Sequence, residues 1–131
     1  MKTLIVEDDF ISRTLLQELL RGYGPSHIAV NGSEAVQAVR RSLEQDQPYD
    51  LICLDIMMPE MDGQEALKKI RELEESMGII SSDGSRIVMT TALADLKNVD
   101  AAYHSLCDAY PTKPIRKEKL MEELRSLRLI P

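Results

Sequence analysis

Four short stretches hold side chains that could act together: Glu7-Asp8-Asp9 behind "TLIV", Asp55 closing "YDLICLD", Thr90-Thr91 closing "RIVMT", and Lys113-Pro114 behind "DAYPT". Brought to one place, the acids would repel and raise one another's pKa. A divalent cation relieves that repulsion. Mg2+ takes one or two carboxylates, a carbonyl and waters, and it bridges to phosphate oxygens. Asp8 and Asp55 could supply the carboxylates, and a lysine beside them suits an anionic adduct as a point charge. Metal, lysine and hydroxyl together describe a site for a phosphoryl group. A carboxylate is able to accept that group, giving an aspartyl phosphate.

Whether these residues meet depends on the elements that carry them. "TLIV" is a continuous, β-branched-rich apolar run, the pattern of a strand buried on both faces. A helix follows, with Ile11, Leu15 and Leu19 on one stripe and Leu16 and Leu20 beside it, closed by Gly22 and Gly24-Pro25. "HIAV" reads as a second strand, and "NGSEA" combines a turn with the start of a helix that has Ala35, Val36, Val39 and Leu43 as its apolar positions. "YDLICLD" is a third strand. Asp62 with Glu65 resembles a capping box for a helix carrying Ala66, Leu67, Ile70 and Leu73. "RIVMT" is a fourth strand, and Leu96, Val99, Tyr103 and Leu106 mark a weaker helix. "DAYPT" is a short fifth strand, and Glu118 to Leu127 a last helix.

This alternation predicts an α/β fold: five parallel strands joined by right-handed crossovers, with five helices covering both faces. Pro111 lacks a ladder donor, so the fifth strand belongs at an edge. In such a sheet the loops at the carboxyl ends of the strands form the binding crevice, which is where all four stretches fall. With no repeat or linker, residues 1–131 read as one domain.

Bulk properties narrow the function. The chain has 131 residues, 44% apolar and 29% charged, with a net charge of −6. Basic pairs such as Arg40-Arg41 and Lys68-Lys69 sit among acids, so no nucleic-acid partner is expected. Cys53 and Cys107 read as small buried hydrophobes rather than a disulfide. No leader is visible and no apolar run approaches the roughly 18 residues of a membrane span, so a cytoplasmic, soluble protein is expected. The methionines Met57, Met58 and Met61 read as loop-to-core packing, "KKIRELEE" as a solvated helix face, and His27 and His104 as ordinary exposed or half-buried residues with no ligand-like spacing.

In their order and on their strands, "LIVEDD", "DLICLDIMMPEMDG", "MTTA" and "YPTKP" resemble the response-regulator receiver domains of two-component signalling. The resemblance runs over essentially the whole chain and implies a doubly wound, flavodoxin-like or CheY-like sheet of strand order 2-1-3-4-5. It implies Asp55 as phosphoacceptor, Asp8 as direct Mg2+ ligand with Glu7 acting through water, and Met57 contributing its backbone carbonyl. Thr91, directly before Ala92, matches the switch hydroxyl better than Thr90 does and with Lys113 would bond the phosphoryl oxygens, Tyr110 corresponds to the aromatic switch, and a cis peptide is implied before Pro114. A histidine kinase or phosphotransfer protein would present a phosphohistidine to Asp55. The face made by the fourth helix, fifth strand and fifth helix would then change its affinity for a downstream protein, in chemotaxis or another pathway. A monomer is expected.

Several residues depart from the family pattern. Pro111 follows the switch tyrosine where an aliphatic residue is usual, Leu106 stands where many receivers have glycine, and Ser76–Ser85 is a longer connection, read as a tolerated surface insertion. Met57 and Leu93 would place apolar walls beside the acyl phosphate, predicting slow self-dephosphorylation. Two other readings compete: a phosphate-independent adaptor of the same fold, and a Mg2+-dependent phosphatase. The phosphatase would want a second acid at the position of Met57. Beyond catalysing its own phosphorylation and dephosphorylation, the chain is not expected to be an enzyme.

Overall fold

The computed structural model describes residues 1–58, 60–80, 82–92 and 106–131. Strands β1 (Thr3–Val6), β2 (Ser26–Ala29), β3 (Leu51–Asp55), β4 (Arg86–Ala92) and β5 (Thr112–Lys113) form one parallel sheet in the order β2-β1-β3-β4-β5. Between them lie α1 (Phe10–Leu20), α2 (Gly32–Glu44) and α3 (Gly63–Ser76), and α4 (Lys117–Ser126) follows β5. The weaker helix expected around Leu96, Val99 and Tyr103 lies outside the described residues, so α4 is the helix counted fifth from sequence.

The apolar runs follow from burial on both sides of the sheet. Leu4, Val6, Ile52, Leu54, Ile87 and Met89 pack with the apolar stripes of α2 and α3. Their neighbours Ile5, Leu51, Cys53 and Val88 pack with Leu16, Leu20, Leu120 and Leu124 of α1 and α4. Successive strand residues point to opposite faces, so a strand covered twice has no polar position to spare.

Helix starts match the local chemistry. Asn31 caps α2 by accepting from the Glu34 amide at 2.8 Å, and Asp62 caps α3 by accepting from the Glu65 amide at 2.9 Å. In α1 the stripe is displaced from the expected one. Leu16 and Leu20 are buried, whereas Ile11 is 76% and Leu15 41% exposed. The two pairs are neighbouring rows on one helix, and packing against β1 selects the second.

The fifth strand is shorter than "DAYPT" suggests, because its formal ladder is Thr91↔Thr112 and Ala92↔Lys113, preceded by an isolated Val88↔Ala109 bridge. Pro111 contributes its carbonyl, which accepts from the Thr91 amide at 3.4 Å, and β5 is the sheet's edge as its proline requires.

The "KKIRELEE" segment is not wholly solvated. Arg71 donates to the Leu106 carbonyl at 2.9 Å, the Ser85 carbonyl at 2.8 Å, Glu74 at 2.7 Å and Asp108 at 3.2 Å. Glu74 also accepts from the Ser85 amide at 2.7 Å, and Asp108 from the Ile87 amide at 2.8 Å. The strand entrance leaves backbone groups that α3 can reach, and burial makes pairing obligatory. The Ser76–Ser85 connection is thereby pinned at its end, while Ile80 stays 64% exposed. Cys53 is buried, Cys107 is half-buried, and no disulfide joins them.

Candidate functional site

Parallel register puts the chemistry in one row. Val6 pairs with Leu54 and Asp55 with Thr90, while Ala92 pairs with Lys113, so β1, β3, β4 and β5 all end on the same side. Glu7 follows β1 directly and is 1% exposed; Asp55 ends β3 and is 4% exposed. Ligand oxygens of Glu7, Asp8 and Asp55 lie within 4.8 Å of one another.

Lys113 reaches in from β5. Its Nζ stands 3.2 Å from Glu7 Oε2 and 3.3 Å from Asp55 Oδ1. One ammonium cannot neutralise two buried carboxylates and the exposed Asp8 beside them. Burial and the charge of Asp55 push Glu7 up to about 7 despite Lys113. Burial likewise raises Asp55, against the pull of Lys113 and of the Met57 amide. For Lys113, burial favours the neutral amine, but attraction to Asp55 and Glu7 outweighs it and holds the ammonium above its ordinary value. Hard oxygen donors carrying excess negative charge fit a divalent cation such as Mg2+, with Glu7, Asp8 and Asp55 as its candidate ligands.

The third acid of the first loop has another task. Asp9 accepts from the Ser12 amide at 2.9 Å and from Ser12 Oγ at 2.8 Å, capping α1. The run Glu7-Asp8-Asp9 therefore divides between the cluster and a helix start.

Both threonines of β4 are 1% exposed. Thr91 Oγ1 donates to the Ala92 carbonyl at 3.2 Å. Among the described residues Thr90 Oγ1 meets no hydrogen-bond partner, and Thr90 lines a cavity of about 410 Å³ with Glu7, Ile11, Leu15, Lys113 and Pro114. Tyr110 is 44% exposed on the segment entering β5. The Lys113-Pro114 peptide is cis, as expected. Met58 and Met61 pack against the core, but Met57 is 61% exposed, because the loop turns it outward as its amide bonds Asp55. Leu93, expected beside it, lies outside the described residues.

The loop after Asp55 also depends on residues that sequence reasoning missed. The Gly63 amide donates to the Ile56 carbonyl at 2.8 Å, closing the loop at its neck. A Cβ on Gly63 would lie 2.2 Å from the Asp55 carbonyl oxygen, and one on Gly32 would lie 2.4 Å from the Met61 carbonyl oxygen. The "DG" and "NG" pairs signal turns in sequence, but close approach to a distant backbone leaves no local mark.

An open parallel sheet with a cluster of acids and a lysine at its carboxyl end defines a class of phosphate-handling α/β domains. The chain belongs to the response regulator receiver domains, whose sequence pattern matches residues 3–125. As such it is a phosphoacceptor of two-component phosphorelay, a family whose members pair with histidine kinases or phosphotransfer proteins. It is 36% identical to "Two-component response regulator ORR41" of Oryza sativa subsp. japonica, across 98% of this chain and 95% of that one. Several other curated relatives are histidine kinases, of which the chain spans between 6% and 13%.

Two solved structures are similar. One is the receiver domain of sensor histidine kinase PA1611 from Pseudomonas aeruginosa PAO1, described with magnesium in its active-site cleft. It has a TM-score of 0.76 and 26% identity, covering 97% of each chain. The other is the receiver domain of Ssk1 from Saccharomyces cerevisiae, crystallised with the phosphotransfer protein Ypd1. Its TM-score is 0.79 and its identity 30%, covering 97% of this chain and 88% of that one. No helix among the described residues is long and apolar enough to cross a membrane.

Proposed function

We propose that Asp55 takes a phosphoryl group from the phosphohistidine of a histidine kinase or phosphotransfer protein, and that the domain catalyses this transfer itself. The observation that carries the reading is the grouping of Glu7, Asp8 and Asp55 with the Lys113 ammonium beside two of them. The Asp55 carboxylate oxygen forms the new O–P bond as the P–N bond of the donor breaks, and the electron pair returns to the imidazole. Bound Mg2+, on Asp8, Asp55 and the Met57 carbonyl with Glu7 acting through water, would supply charge neutralisation for the incoming phosphoryl oxygens.

The protein's own groups do the rest. Lys113, already held at the cluster, bonds one phosphoryl oxygen. Thr91 must leave the Ala92 carbonyl to bond another. That exchange links the state of Asp55 to the carboxyl end of β4, and Tyr110, beside β4 in the sheet, follows it. The downstream partner would read this change.

The test is intact mass after incubation with acetyl phosphate, with and without Mg2+. A single phosphoryl adduct that needs Mg2+ and is lost in Asp55→Asn is expected. Thr91→Ala should slow its formation or shorten its life, while Thr90→Val should not. An adduct persisting in Asp55→Asn would refute the assignment, and no adduct in a folded, Mg2+-binding protein would favour a phosphate-independent adaptor.

A further inference from the structure

Among the glycines, Gly32 is unusual in its neighbour. It opens α2, an element that contributes no side chain to the acidic cluster, yet its missing Cβ makes room for a different loop. An ideal Cβ there would stand 2.4 Å from the Met61 carbonyl oxygen, 2.9 Å from Met61 Cβ and 3.0 Å from the Met61 carbonyl carbon. Two of those atoms are backbone, so no side-chain rotation relieves the overlap. Gly32 is buried and does not have a positive φ, so backbone conformation does not demand glycine there. Only the close approach does.

We infer that Gly32 is a positioning residue for the loop that carries the metal and phosphoryl chemistry, acting from α2 through the Met61 backbone. The described ends of the loop are tied down. It is closed at its neck by the Gly63 amide on the Ile56 carbonyl, at 2.8 Å. Beyond Met61, Asp62 is committed to capping α3 through the Glu65 amide. Within the loop, Glu60 already holds a left-handed backbone, φ 67°. On this inference a displacement at Met61 reaches Met57, whose amide bonds Asp55 and whose carbonyl is a proposed metal ligand. Metal sites are sensitive to such support, and losing it commonly costs ~10-fold or more in affinity.

The inference rests on the metal reading above, and the experiment separates the two. Mg2+ binding is measured by calorimetry on wild type, Gly32→Ala and Val39→Ala, with circular dichroism confirming the fold. Val39 is a buried core residue of the same helix, and its truncation leaves a cavity in the core cluster rather than an overlap with the loop. The expected result is a dissociation constant raised ~10-fold in Gly32→Ala and unchanged in Val39→Ala, although both lose stability. A Gly32→Ala constant within about twofold of wild type, or an equal rise in Val39→Ala, would overturn the positioning role. Should Gly32→Ala fail to fold, the wild-type protein decides. The Gly32 and Met61 amide resonances should shift along the same Mg2+ isotherm as Asp55, and a stationary Gly32 amide would overturn it. If wild type shows no Mg2+ isotherm at all, the metal reading itself fails and takes this inference with it.

Discussion

At the scale of single residues, neighbours in sequence have separate fates. Thr90 and Thr91 are equally buried, but the Thr91 hydroxyl has a carbonyl partner and the Thr90 hydroxyl has none among the described residues. Keeping a buried hydroxyl without a partner costs desolvation that nothing returns. Thr90→Val should therefore stabilise the domain by about 1 kcal/mol, seen as a higher urea midpoint at unchanged m-value. A destabilised variant would mean that the hydroxyl is satisfied in solution.

Glu7 supports a prediction in pH. Burial and Asp55 raise its folded pKa from 4.5 to about 7. A raised carboxylate favours the protonated fold, so its contribution to metal-free stability is present in full below 4.5 and is lost as pH rises through about 7. Metal binding wants the carboxylate and runs the other way. Mg2+ affinity should weaken as pH falls through about 7, with a proton released on binding, and Glu7→Gln should flatten that slope in calorimetric titrations. An unchanged slope in Glu7→Gln would assign the proton to another group.

At the scale of elements, the two ends of the sheet are built differently. The carboxyl end concentrates like charge and stores repulsion, whereas the amino end of β4 is tied by a closed set of ion pairs and hydrogen bonds. Arg71 is the centre of that set, with 11% of its side chain exposed against 3% for Glu74. Removing one partner of a buried pair strands the other charge. Arg71→Ala should cost about 3–5 kcal/mol in urea unfolding, and the paired replacement Arg71→Met with Glu74→Leu should recover much of it. Recovery is bounded because the Ser85 amide and the Ser85 and Leu106 carbonyls still lose their partners. A loss below about 1 kcal/mol in Arg71→Ala would place these ions in effective contact with water.

For the whole molecule, the question is how a protein donor reaches Asp55. Helix α1 starts three residues beyond Glu7, and its exposed row of Ile11 and Leu15 borders the cavity shared with Glu7, Lys113 and Pro114. Phe10 beside it is 68% exposed. A phosphohistidine protein would bury this row as it approaches, but acetyl phosphate would not need it. Ile11→Asp should slow phosphotransfer from a phosphorylated histidine phosphotransfer protein by about tenfold or more, with stability within about 0.5 kcal/mol of wild type. Labelling by acetyl phosphate should stay unchanged. Equal loss with both donors would locate the defect in the site rather than in docking.

Much of this was legible in the residues themselves. Continuous apolar strands, each ending in a polar group, specify a doubly covered parallel sheet, because only burial on both faces tolerates such runs. The same pattern placed Asp55, Glu7, Asp8, the threonines and Lys113 at one end, and Pro111 put β5 at the edge. The local signals read correctly were those completed within one turn, such as the Asp62 cap.

What the tertiary structure alone decided concerns relations between distant segments. Periodicity offered two adjacent rows on α1, and contact with β1 and α4 chose Leu16 and Leu20. A charged run on α3 read as solvated until the Ser85, Leu106 and Asp108 groups supplied its partners from other elements. Gly32 looked like a turn residue, and only the Met61 backbone pressed against it gives the glycine its reason. Composition and spacing record what a residue is and what lies within a few positions of it. Partner and clearance are set by surfaces that meet only when the chain has folded.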